Sequence, residues 1–76
     1  MTRVVLYTAE ACHLCDQARR TLDGEGVDYR AVDITGDPEL EASYREWLPV
    51  VEIDGTRAFV YRIPVEGLRR KLAAQG

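Results

Sequence analysis

The chain has 76 residues and a net charge of −3 at pH 7, with 46% hydrophobic and 30% charged residues. That length suits one small domain, expected over residues 1–76, with a modest core and a thin stability margin. The acidic balance speaks against a nucleic-acid partner, which needs a basic face. No apolar run approaches the ~20 residues that cross a bilayer, and the first residues lack the order of a secretory signal. A soluble, cytoplasmic, monomeric protein with no nucleic-acid or membrane partner is therefore expected.

Residues 3–8, Arg-Val-Val-Leu-Tyr-Thr, are expected as a short strand buried on both faces, because the apolar run is continuous and rich in β-branched residues. From Ala11 the period changes. Ala11, Leu14, Cys15, Ala18 and Leu22 recur at helical spacing, with polar residues on the other side, and Gly24 and Gly26 supply a stop. Val27–Ile34 is expected as a second strand, parallel to the first across the intervening helix. Asp37-Pro38-Glu39 then carries the marks of a helix start: an acceptor at the cap, proline in the first turn and an acid at the positive dipole end.

Leu40, Tyr44 and Trp47 give that second helix an apolar face, with Tyr44 and Trp47 read as core or rim packing residues rather than a ligand platform. Pro49 ends it, and Val50–Ile53 follows as a third strand. Asp54-Gly55 suits a tight two-residue hairpin, so Thr56–Tyr61 should return antiparallel. Pro64 opens a last helix with Val65, Leu68 and Leu72 inward. The basic run Arg69-Arg70-Lys71 then serves the C-terminal end of that helix rather than a binding patch. The order is β-α-β-α-β-β-α.

The chain's two cysteines lie three apart, in Ala9-Glu10-Ala11-Cys12-His13-Leu14-Cys15-Asp16. On a helix such positions are neighbours, and a disulfide closes between them without unwinding the turn. Cys12 belongs at the exposed N-terminus and Cys15 one turn deeper, on the margin of the core face. Thiol–disulfide exchange requires that inequality: an accessible, partly ionised attacking sulfur and a second thiol within reach to resolve the mixed disulfide. His13 is placed either to favour the Cys12 thiolate or to face solvent, while Glu10 and Asp16 oppose ionisation.

Two cysteines and one histidine fall short of a four-ligand zinc site, so no metal is expected. An iron–sulfur cluster shared across a dimer stays open. The sole histidine adjoins Cys12 in sequence, which removes the cysteine-protease arrangement. No Gly-rich phosphate loop, HExxH pattern or calcium-type acidic cluster occurs.

With these elements in this order, the chain resembles the short bacterial glutaredoxin-like proteins of the thioredoxin superfamily. VVLYTAEACHLCDQARRTL carries the first strand, the Cys-x-x-Cys and the first helix, VDYRAVDI the second strand, and LPVVEIDG the later proline and hairpin. The resemblance implies an α/β thioredoxin-like fold, a four-stranded mixed sheet with helices on both faces. It also implies a cis peptide at Leu48-Pro49, with the backbone of Leu48 or its neighbour pairing with a substrate strand beside Cys12.

The chain departs from glutathione-binding relatives in three places. It has Thr8-Ala9-Glu10-Ala11 where they carry a lysine, Trp47-Leu48 where they carry threonine-valine, and Tyr61-Arg62-Ile63-Pro64-Val65-Glu66 where they carry a Gly-Gly turn with an aspartate. Arg62 is the candidate replacement cation, and His13, Leu48, Pro49 and Arg62 together are the candidate substrate-binding residues.

The implied function is a small dithiol oxidoreductase, with Cys12 as nucleophile and Cys15 as resolving thiol, acting on a disulfide-containing protein substrate. Its reductant would be a flavoprotein reductase, glutathione or another small thiol, and no cofactor beyond the Cys12–Cys15 disulfide is expected. The alternative is a non-catalytic thioredoxin-fold binding module or cluster-binding dimer.

Overall fold

The computed structural model describes residues 2–75; the first and last residues of the expected 1–76 span lie outside the described residues. The elements are β1 (Val4–Thr8), α1 (His13–Gly24), β2 (Arg30–Asp33), α2 (Pro38–Tyr44), β3 (Val50–Ile53), β4 (Thr56–Val60) and α3 (Val65–Gln75). A 3-10 turn, Arg45–Trp47, extends α2. The sheet has four strands in the order β2-β1-β3-β4. β1 runs parallel to β2 and antiparallel to β3, and β3 is antiparallel to β4. The element order and mixed sheet are those expected.

Alternation along β1 sends Val4 and Leu6 to one face, where they meet Val51 and Ile53, Ala18 and Leu22 of α1, and Leu68 of α3. Leu6, Leu22 and Leu68 are fully buried, and each such side chain contributes about 1.5–3 kcal/mol of transfer free energy. On the other face Tyr7 stacks on Tyr44 of α2, with ring centroids 3.9 Å apart. The Tyr44 hydroxyl donates to Glu52 Oε2 at 2.7 Å, and the Arg57 guanidinium lies 5.4 Å over its ring. Helices therefore cover both faces. The second face is only half-closed, so β1 alternates between buried and half-buried residues instead of being sealed on both sides.

β1 starts one residue after Arg3 and β2 ends one residue before Ile34, and other boundaries also differ from the expectation. α1 starts at His13 rather than Ala11, because Ala11 sits at φ 54° and Cys12 is extended, so the chain turns before it coils. β2 starts at Arg30 rather than Val27: with Gly26 at φ 66°, the Val27 N–H still donates to Leu22 O at 3.0 Å, closing the end of α1. β4 ends at Val60, one residue before Tyr61. α3 starts at Val65, whose side chain is exposed rather than inward, while Leu68 is buried and Leu72 half-buried.

The hairpin follows its turn chemistry. Ile53 pairs with Thr56, leaving Asp54 and Gly55 at φ 51° and 84°, the two positive angles of a turn whose twist matches the strands. Asp54 Oδ1 also accepts the Arg3 N–H at 2.8 Å, tying the start of the chain to the hairpin. A register shift at Val51/Glu52 puts an irregularity into the β3–β4 ladder.

Candidate functional site

β1 ends at Thr8, and the linking residues turn through Ala11 into Cys12, which is the N-cap of α1. The Cys12 carbonyl accepts the Asp16 N–H at 3.1 Å, and its Sγ accepts the Cys15 N–H, also at 3.1 Å. Cys12 and Cys15 are joined as a disulfide with Cα atoms 5.2 Å apart, inside the range such a bond spans. The two sulfurs are not equivalent: Cys15 is 1% exposed, whereas Cys12 is only half-buried at the helix tip. Once the bond is reduced, the Cys15 N–H and the positive end of the helix both favour negative charge on Cys12 Sγ.

Cys15 packs with Ala9, Ile34 and Leu48, and Cys12 lies against that cluster. Leu48, remote in sequence, is thus brought beside the cysteines. The Leu48-Pro49 peptide is cis and Pro49 is buried. Of the other candidates, His13 is the first residue of α1 and exposed, so it stands at the rim. Arg62 is exposed and lies outside the cysteine cluster, lining a cleft of about 160 Å³ along α1 with Leu14, Gln17, Tyr61 and Ile63. Among the described residues, no three His, Cys, Asp or Glu side chains converge as a metal site would require.

The sequence reading named Tyr44 and Trp47 as packing residues but did not give their two ring partners. The Tyr7–Tyr44 stack is one pair; burial and the Glu52 hydrogen bond push the Tyr44 hydroxyl well above the ordinary tyrosine range. The other is Trp47 with Tyr61. Trp47 was expected on the apolar face of the second helix, but it lies past the end of α2, and its ring meets Tyr61 at 6.1 Å with the planes tilted by 42°. Tyr61 takes φ 66°, a left-handed conformation that costs a residue with a Cβ about 1 kcal/mol or more. Its N–H donates to Pro49 O at 3.0 Å and reaches Trp47 O at 3.4 Å. The signals were faint: Pro49 forces the preceding residue out of helical geometry, and Tyr61 falls where the last strand gives way to Pro64.

A mixed four-stranded sheet, a Cys-x-x-Cys at the start of the first helix and a cis proline packed nearby define a thioredoxin fold with a thiol redox role. Residues 3–73 match the family described as Glutaredoxin-like domain (DUF836), and the chain belongs to that family. It is 40% identical over 42 residues to a protein named glutaredoxin from Pseudomonas aeruginosa, a match covering 55% of this chain and 50% of that protein. The chain therefore spans half the length of that relative. A structural-genomics target from X. campestris superposes with a TM-score of 0.82 at 32% identity, covering 93% of this chain and 96% of that one. Glutaredoxin 1 from Francisella tularensis, solved with cacodylate, shares the fold at a TM-score of 0.65 and 15% identity, covering 99% of this chain and 96% of that one. No helix among the described residues is long and apolar enough to cross a membrane.

Proposed function

We propose that the protein is a small dithiol thiol–disulfide oxidoreductase that reduces disulfides in protein substrates. The observation that carries this reading is the inequality of the two sulfurs. Cys12 Sγ sits at the helix tip with a backbone N–H donated to it, and Cys15 lies one turn deeper, 1% exposed. In the reduced protein the Cys12 thiolate attacks a substrate sulfur, and the substrate's other sulfur leaves as a thiolate that takes a proton from water. Cys15, as its thiolate, then attacks Cys12 Sγ, releases the second substrate thiol and leaves the Cys12–Cys15 disulfide. Two electrons pass to the substrate, and a thiol or flavoprotein reductant restores the pair.

Leu48 and Pro49 form the wall beside which the substrate backbone lies. His13, exposed at the start of α1, and Arg62, the cation that lines the α1 cleft, are its candidate polar contacts. A reducing compartment such as the cytoplasm sets the direction of electron flow.

The test equilibrates the protein with defined dithiol/disulfide buffers and counts the disulfide by mass. Reversible interconversion between roughly −270 and −120 mV, the span of related proteins, is expected. A pair that stays reduced throughout, or a protein that unfolds on oxidation, overturns the proposal.

A further inference from the structure

Two large aromatic rings stand partly in solvent, in contact with each other and tied to the cis-proline through the Tyr61 N–H. Trp47 is 40% exposed and Tyr61 44%. Tyr61 also occupies a left-handed backbone position that glycine would fill without strain, and so exposed a ring repays little of that strain through burial. Strained residues held against their own conformational preference point to a functional constraint.

The two rings are continuous with the redox site. The Tyr61 N–H is bonded to Pro49 O, and Pro49 follows Leu48, which packs on Cys15. On its other side Tyr61 shares the α1 cleft with Leu14, the residue between His13 and Cys15. Tyr61 therefore joins Trp47 to the α1 cleft, whose Leu14 directly precedes Cys15 in α1. Gln17 and the exposed Arg62 supply the cleft's polar groups.

We infer that Trp47 and Tyr61 set the substrate class of the oxidoreductase proposed above, on which this inference rests: they select an extended protein segment with an apolar or aromatic side chain next to the disulfide cysteine. The 6.1 Å between the ring centroids is about the rise of two residues of extended chain, so residues flanking the substrate cysteine are long enough to cover both. Aromatic side chains pair favourably with such rings in tilted or offset geometry. A small thiol with charged flanks, such as glutathione, has no apolar side chain to lay on them.

The experiment uses three mixed disulfides of thionitrobenzoate. One partner is an end-capped tripeptide with phenylalanine on both sides of cysteine, one has serine on both sides, and one is glutathione. The reduced protein, freed of reductant, attacks the peptide sulfur and expels thionitrobenzoate, whose absorbance gives the rate. Cys15 then displaces the peptide thiol and leaves the Cys12–Cys15 disulfide. Each rate is divided by that of dithiothreitol with the same probe, which removes intrinsic reactivity.

The corrected rate is expected to favour the phenylalanine probe over both others by roughly tenfold. Trp47→Ala and Tyr61→Gly should each shrink the preference, and the double variant should bring it to within about twofold, the size of ordinary scatter between unselective probes. Because the readout is a ratio within one variant, a general loss of reactivity or of folded protein cancels. A ratio near one in the wild type, a preference that survives the double variant, or glutathione as the fastest probe overturns the inference while leaving the oxidoreductase reading standing. If the wild type expels no more thionitrobenzoate from any probe than Cys12→Ser does, the oxidoreductase reading fails and takes this inference with it.

Discussion

The two helices that each follow a parallel strand of the sheet begin in different ways. α2 starts on Asp37, whose Oδ1 accepts the N–H groups of Glu39 and Leu40, both at 3.1 Å, with Pro38 in the first turn. Around it Glu41 accepts the Gly36 N–H and pairs with Arg45, and Asp33 accepts the Thr35 N–H at 2.8 Å. α1 starts on Cys12 and has one cap bond, to a sulfur. Oxygen caps are built to hold a short helix that buries no residue fully. The sulfur is a weaker acceptor, and α1 tolerates it because Cys15, Ala18 and Leu22 anchor the helix in the core. Where the core secures a helix, its first turn is free to carry chemistry.

Four changes test that contrast. The largest effect is expected from Cys12→Ser, which should lower the rate of disulfide exchange at least roughly a thousandfold. The serine oxygen is a better cap, so the reduced variant should be more stable than the reduced wild type by up to ~1 kcal/mol. Turnover assays and urea unfolding read the two effects separately, and a destabilised Cys12→Ser protein would contradict the idea that the sulfur is the weaker cap.

Leu22→Ala should cost about 2–5 kcal/mol in the same unfolding experiment, since α1 depends on its buried face. A loss under 1 kcal/mol, which is the scale of a surface change, would mean that the cap matters more to α1 than the core does.

Asp37→Ala should cost about 1 kcal/mol and leave exchange kinetics unchanged, because α2 reaches the cysteines only through Leu40 and Tyr44. The smallest effect is the response to acid. The Thr35 N–H holds Asp33 below the usual carboxylate range, and the Arg45 hydrogen bond, then the Gly36 N–H, does the same for Glu41. With folded values depressed, their stabilisation is complete above the ordinary carboxylate range and is lost as pH falls through the folded values, which lie below that range. Amide exchange at Thr35 and Gly36 should therefore accelerate in acid beyond its intrinsic pH dependence, while the amide of Cys15 does not respond. Equal acceleration at both helix starts would remove the contrast.

Much of this was legible in the chain because it is local chemistry. Asp54-Gly55 announces its turn, Asp37-Pro38 its helix start, and Cys12 and Cys15 their inequality, each within a few residues. The start of β2 was not legible, because Gly26 continues the closure of α1 and takes Val27 with it. The approach of Leu48-Pro49 to the cysteines came only through resemblance; nothing in the spacing of residues 12 and 48 demands it. The exposure of Trp47 was not legible for a different reason: helical spacing says which side of a helix a residue lies on, but not whether anything covers that side. Cover for Trp47 depends on where the 3-10 turn leaves it and on Tyr61, fourteen residues later.

The brevity of β2 has a consequence for the protein in concentrated solution. It is an outer strand of only four residues, with Arg30 and Asp33 exposed at its two ends. The opposite outer strand, β4, carries the exposed Arg57 next to the register shift against β3. A strand arriving from another molecule meets charge at one border of the sheet and a broken ladder at the other, so neither border is a template for fibre growth. The same small sheet that carries the Cys12–Cys15 disulfide at one end is thereby protected along its sides against aggregation.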